Sequence, residues 1–361
     1  MSDRELQRLD FLRAAGLADA ARAPLPGDAS TRRYERLTTP GGATLMLMDQ
    51  PPAAESRPCD PSWTPEERRA AGWNALARLS AGRIEAFAAV ATHLRVAGLS
   101  APEIVAVDPA AGLAVIEDFG DDLFARVIEA GAAEAPLYMA AVDALVRLHE
   151  TPAPAVMRGP GGDWPLLTYD AAALQGGADL FVEWAPKLNP VLDFGPAALD
   201  EWREAWAPVA KRGERGARVM AHRDYHAENL IWLPRREGAQ RVGMIDFQDA
   251  VLAHPAWDLH SLLQDARRDV SPELEAAALD RYLAATGTDR EEFLRDYAAL
   301  AAMNEARILG VFARLIARDG KPRYRQFMPR MWDHLEANLR KPGLEAAAAW
   351  FERHVPMEGR R

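Results

Sequence analysis

"VMAHRDYHAENLIWL", residues 219–233, sets His222, Arg223, Asp224, His226, Glu228 and Asn229 between two apolar runs. Polar groups are costly to bury unless each has a hydrogen-bond partner or a task. The middle of the stretch therefore reads as a polar loop leading into a buried strand, "ENLIWL". A second short strand, "RVGMIDF" (241–247), follows across a polar segment near 234–241, and the two suit a hairpin. The second strand also ends on a carboxylate, Asp246, so the hairpin is bracketed by chemistry at both ends.

The spacing His222-Arg223-Asp224, four residues, Asn229 matches the catalytic-loop pattern H-R-D-x-x-x-x-N of protein kinases. Asp246 comes seventeen residues after Asn229, and "HPAWDL", with Asp258, follows at a helix start. Together these motifs resemble the kinase-like phosphotransferases, the group that includes aminoglycoside and choline kinases. That resemblance implies an α+β, bilobal protein-kinase-like fold, with a small β-rich N-lobe and a large, mostly helical C-lobe. It implies Asp224 as the base that orients an acceptor hydroxyl, Asn229 and Asp246 as Mg²⁺ ligands, and ATP as donor. By the same resemblance His222 and Asp258 scaffold the loop. Phosphoryl transfer needs a positioned hydroxyl and neutralised phosphate oxygens, and hard oxygen ligands suit Mg²⁺. A rival reading uses the alternation of His222, Asp224 and His226, which on a strand would share one face and bind a transition metal. It leaves Asn229 and Asp246 without a task, and no further histidine cluster completes the shell.

Outward from the motif, the first third is patterned as a small mixed unit. A short helix spans 3–16. Tyr34, Arg36 and Thr38 alternate like a strand, "PGG" (40–42) marks a turn, and "ATLMLMD" (43–49) is a second strand. Residues 51–65 read as loop, 66–79 and 84–97 as helices, and 103–118 as two strands about a turn. The expected division is an N-lobe of 1–118 and a C-lobe of 119–361. In the latter, 134–150, 170–184, 197–212, 256–268, 272–285, 289–318 and 325–340 read as helices, with a Pro/Gly-rich loop at 152–165.

Composition bounds the function. The 361 residues are 49% hydrophobic, enough for a large core, and the net charge of −10 argues against a general nucleic-acid binder. The first twenty residues lack a secretory h-region, and no apolar run reaches membrane-span length. One cysteine, Cys59, offers no internal disulfide, which fits a cytoplasmic protein. No protein partner is implied.

Relative to the resembled family, the chain has no lysine before Lys187, so the first lobe supplies none to the phosphates. Met48 stands near the expected position, and "GDASTRRY" (27–34) replaces a Gly-rich loop. Ser30 and Thr31 are candidates to line the triphosphate, and Arg32 or Arg33 to supply charge, since arginine binds phosphate bidentately; a solvated hairpin edge is the plainer reading. "VIEDFGDD" (115–122) resembles the family's hinge, with Glu117 and Phe119 as backbone contacts to adenine; the plainer reading is a strand-to-helix turn with Asp121 as N-cap.

The wording "STRRY…MDQPP…HRDYHAENLIWL…IDFQDAVLAHPAWDLHSLLQDARRDV" looks like one branch of the family, the anomeric amino-sugar kinases of bacterial cell-wall recycling. These phosphorylate N-acetylmuramate and N-acetylglucosamine at the C1 hydroxyl, and the branch lacks the strand lysine. Residues 56–82 resemble an insertion. Asp170, Glu183 and Trp184 supply carboxylates and an indole suited to a sugar. His226 and Gln248 are candidates for ring substituents, and Arg267 or Arg268 for the lactyl carboxylate of N-acetylmuramate. The plainer readings are Asp170 as an N-cap, Trp184 as core, and the two arginines as a solvated face. The alternatives at the level of function are an aminoglycoside kinase and an inactive kinase-like binding module.

Overall fold

The computed structural model describes residues 2–26, 32–51 and 57–360. The chain forms two compact units, 1–167 with 227–250, and 168–226 with 251–361. The α+β class holds, and the sheet lies in the N-terminal part as the motif resemblance implied.

In the first unit, β1 (Ala21–Pro24), β2 (Arg33–Thr38), β3 (Thr44–Asp49), β4 (Ile104–Asp108) and β5 (Leu113–Glu117) form one sheet in the order β1-β2-β3-β5-β4. The expected β2–β3 hairpin pairs Tyr34 with Met48 and Leu37 with Leu45. Strand alternation sends Leu37, Leu47, Leu113 and Val115 to one face, where Leu12 of helix Asp3–Ala14 closes a core. Tyr34, Arg36, Met46 and Ile116 leave on the other face, which lines a cavity. The predicted helix over 66–79 is two pieces, Pro65–Ala71 and Trp73–Leu76. Gly72, at φ +104°, breaks it in a conformation that only glycine adopts cheaply. The predicted loop at 152–165 holds a hairpin, β6 (Val156–Gly159) and β7 (Gly162–Pro165), which lies so close to helix Ile84–Val96 that a Cβ on Gly159 would sit 2.7 Å from the Ala89 backbone.

Later in the chain come β8 (Val219–Ala221), β9 (Leu230–Trp232), β10 (Val242–Met244) and β11 (Val251–Ala253). The β9–β10 hairpin forms as expected, with Leu230 opposite Met244. It belongs to the first unit: Trp232 N donates to Asp122 O at 2.7 Å, and Met244 N to Ser100 O at 2.8 Å. Residues 118 and 119, where the division was expected, both fall in this unit.

In the second unit β8 pairs with β11, and helices make up the rest. Helices Ala171–Leu188, Pro196–Arg215, Met328–Leu339 and Glu345–His354 contribute Phe181, Trp202, Trp332, Trp350 and Phe351 to one aromatic core. The last of these helices was not legible in the sequence pattern. Helix Arg290–Ala317 crosses Ala171–Leu188 at Gly310, where a Cβ would lie 2.3 Å from the Leu180 carbonyl carbon.

Candidate active site

The loop that carries Asp224 belongs to the second unit and is braced by helix Ala256–Leu263. The fully buried Asp258 carboxylate accepts from His222 N at 2.6 Å and from Arg223 N at 2.8 Å. Trp257 Nε1 donates to Arg223 O at 3.3 Å, and the Arg223 guanidinium lies 4.6 Å from the centre of the Tyr169 ring. These anchors hold Arg223 at φ +82°, a left-handed conformation that costs a non-glycine residue of order 1–3 kcal/mol. Burial pushes the Asp258 carboxyl up to about 7, with the Asp224 charge adding to it, against the pull of the two N–H donors.

Asp224 faces a cavity of about 140 Å³ lined also by His226, Asp265, Arg267, Asn304 and Arg307. Of the residues expected to bind an acceptor, His226 and Arg267 are here, with Arg267 Nη1 3.3 Å from His226 Nε2. Arg267 N also donates to Asp265 Oδ1 at 2.9 Å. Asp265, Asn304 and Arg307 were not singled out from the sequence. The available signal was "MNEAR" (303–307), polar groups set in an otherwise apolar helix pattern.

Asp170, Glu183 and Trp184 line neither cavity described here. The Asp170 carboxylate caps helix Ala171–Leu188 by accepting from Ala173 N at 3.0 Å. Glu183 is exposed and pairs with Lys187 at 3.5 Å. Trp184 is half-buried with the Lys187 ammonium 3.8 Å over its ring, so it is a cation–π surface group and not core.

Asn229 and Asp246 belong to the first unit. The β9–β10 ladder runs one step past its strands, with Ile245 N donating to Asn229 O at 3.1 Å, which sets the two ligand candidates at the same ladder end. Asp246 sits at φ +64°, a second strained non-glycine position. The adjacent Phe247 stacks on Phe87, ring centres 4.8 Å apart, and pins the turn to helix Ile84–Val96. Both candidates line a cavity of about 310 Å³. Its lining also includes Met46, Phe87, Ile116, Ile231 and Ile245, and the segment Glu117–Asp121.

Arg32 reaches into this cavity. Its guanidinium pairs with Asp246, and Nη1 donates to Gln248 Oε1 at 2.9 Å. Burial works against its charge, but Tyr34, Asp246 and Asp249 outweigh that and raise its pKa. Gln248 Nε2 also donates to Asp246 at 3.2 Å, so Gln248 is engaged here by Arg32 and Asp246. Strand alternation places Arg33 with Glu35 and Leu37, on the face opposite Tyr34 and Arg36, and it does not line the cavity. Ser30 and Thr31 lie outside the described residues. Glu117 and Phe119 both line the cavity. The Glu117 carboxylate is taken by Arg236 and the Phe119 ring lies against that same arginine, 4.9 Å from its guanidinium, which leaves backbone groups as what this segment offers a ligand. Asp118 and Asp121 both pair with Arg36.

Among the described residues no group of three or more His, Cys, Asp or Glu converges as a metal site. The two candidate donors, the Asp246 carboxylate and the Asn229 amide oxygen, line the same cavity and suit Mg²⁺, which takes one or two protein oxygens and completes its shell with water and phosphate. They would not satisfy a metal that needs an all-protein cage. Arg32 now holds the Asp246 carboxylate, so a cation there would share it with, or displace, the guanidinium.

Residues 21–302 match the model of the phosphotransferase enzyme family. The chain belongs to that family and is an enzyme that phosphorylates a hydroxyl acceptor. It is 59% identical over 361 residues to the N-acetylmuramate/N-acetylglucosamine kinase of Caulobacter vibrioides, covering 100% of this chain and 99% of that one. A kinase of the same name from Pseudomonas aeruginosa is 30% identical over 329 residues, 89% of this chain and 85% of the relative. Among solved structures, an ethanolamine kinase of Plasmodium vivax superposes with a TM-score of 0.58 at 14% identity, covering 93% of this chain and 86% of that one. The gentamicin complex of APH(2")-IIa gives 0.51 at 12% identity, covering 95% and 99%. These likenesses carry the fold. No helix among the described residues is long and apolar enough to cross a membrane.

Proposed function

We propose that the protein is an ATP-dependent sugar kinase that phosphorylates the anomeric hydroxyl of N-acetylmuramate, N-acetylglucosamine or both. The observation that carries this reading is the 59% identity, end to end, with a relative named for both sugars. The side chains supply the parts the reaction needs. Asp224 accepts the proton of the attacking hydroxyl and orients its oxygen. The new bond joins that oxygen to the γ-phosphorus, the bond to the β-phosphate oxygen breaks, and ADP leaves. Asn229 and Asp246 would hold Mg²⁺, which neutralises phosphate charge when bound. The nucleotide base fits the apolar walls of the Asp246 cavity, with the backbone of Glu117–Phe119 as its polar edge. Arg32 takes the charge role that a lysine fills elsewhere in the family. His226 and Arg267 contact the acceptor, and His222 and Asp258 act through the loop they brace.

The test offers ATP with a panel of amino sugars and aminoglycosides, and locates the new phosphate by NMR. Phosphate at C1 of an N-acetylated amino sugar is the expected result. Turnover confined to aminoglycosides, or phosphate at another hydroxyl, would replace this reading.

A further inference from the structure

The cavity beside Asp224 contains two polar groups that the protein itself leaves unmatched. The first is Asp265, 3% exposed, whose Oδ1 accepts from Arg267 N while Oδ2 is buried with no hydrogen-bond partner. A buried carboxylate oxygen without a donor costs free energy unless a ligand supplies one.

The second is Arg307. Its Nε donates to Asn304 Oδ1 at 2.7 Å, and the guanidinium lies 6.0 Å from the Trp257 ring centre. No described residue accepts from its two terminal nitrogens, and no carboxylate pairs with it. Its aim is nevertheless set. Asn304 Nδ2 lies 3.2 Å from His260 Nδ1, and burial holds His260 neutral, at a pKa of about 3, so that nitrogen accepts. A chain of hydrogen bonds from His260 through Asn304 therefore fixes the Arg307 fork in advance of any ligand.

Charge decides what the ligand brings. Arg267, 3.9 Å from Asp265, offsets that carboxylate within the protein. Arg307 has no such counterpart, and a half-buried guanidinium favours an anion, best a planar one that accepts two parallel hydrogen bonds. A polycationic acceptor would set like charge against it.

We propose that Arg307 binds the carboxylate of an acidic amino sugar, while the buried Asp265 oxygen accepts a hydroxyl or amide N–H of the same ligand. This rests on the sugar-kinase reading and deepens it: Arg307, and not Arg267 or Arg268, reads the lactyl group by which N-acetylmuramate differs from N-acetylglucosamine.

The matched pair of sugars makes the test internal. The readout is the ratio of kcat/KM for N-acetylmuramate to that for N-acetylglucosamine, measured on the full chain. In R307M the ratio should fall by about tenfold or more, carried by KM, as expected for a lost charge-assisted hydrogen bond. In R307K it should fall by about threefold, since a point charge remains without the fork. If R307M does not fold, the R307K ratio decides. An unchanged ratio would overturn the assignment while leaving the sugar-kinase reading intact. Turnover of neither sugar by the unaltered protein would sink that reading and the assignment together.

Discussion

The two cavities handle their charges in opposite ways. Around Asp246 the polar groups satisfy one another: Arg32 pairs with the carboxylate, and Gln248 bonds to both. Around Asp224 the protein holds a guanidinium with no carboxylate partner, aimed by Asn304, and a buried carboxylate oxygen with no hydrogen-bond donor. On the proposed reading the first arrangement would exchange partners when a cation and phosphates arrive, and the second, organised beforehand, would be completed by the acceptor. Backbone strain is common to both, at Arg223 and at Asp246, and in each case a buried anchor sustains it, Asp258 for one and Phe247 for the other.

The largest effect should come from the preorganised side. Asp224→Asn removes a base without removing a phosphate ligand, so kcat should drop by about 10³-fold while nucleotide affinity stays. Near-normal kcat would erase the catalytic half of the contrast. Next, Asp246→Ala should abolish the Mg²⁺-dependent part of nucleotide binding, read by calorimetry with and without the metal; equal affinity in both would show that the carboxylate exchanges nothing.

Arg32 and Arg33 sharpen the comparison further. Arg32→Ala should raise KM for ATP by about tenfold, the scale of one charge-assisted hydrogen bond, and Arg33→Ala by less than about twofold. A lower KM in Arg32→Ala would mean that the arginine only competes for Asp246.

The smallest effect on turnover belongs to buried carboxyls behind the Asp224 cavity. Burial raises Asp258 to about 7 and Glu305, whose Oε1 accepts from Asn338 Nδ2 at 2.9 Å, to about 8. The folded state therefore keeps protons that the unfolded chain has released. Their contribution to stability is complete below about pH 4 and declines as pH rises to about 8, by up to about 1.4 kcal/mol per pH unit for each group. Glu305→Gln should flatten the segment between about pH 7 and 8 in urea-unfolding curves. An undiminished slope there would assign the titration to another group.

Much of the frame was legible because its signals are local. The β2–β3 hairpin, the strands of 103–118, the β9–β10 pair and most long helices follow from alternation, helical periodicity and turn residues within a few positions. Where a local signal was weak, the reading slipped. Gly72 looks innocuous inside an apolar helix pattern, yet its φ of +104° ends the helix. The strands β6 and β7, four residues each, carry too little alternation to stand out from a Pro/Gly-rich loop. The expected sugar contacts Asp170 and Trp184 have local partners, a helix cap and the Lys187 ammonium.

By itself the sequence singled out the candidate set on which the proposed function rests, since Asp224, Asn229 and Asp246 stand in the spacing of a loop, a strand and a strand-ending turn. It also determined that no lysine stands before Lys187. Only the tertiary structure decided which arginine meets Asp246: Arg32, just before β2, pairs with it, while Arg33, the first residue of β2, does not line that cavity. Only the tertiary structure, again, brought Asn304 and Arg307 to the Asp224 cavity. They lie about eighty positions further along the chain, and proximity across that distance is set by helix packing, which local pattern does not encode.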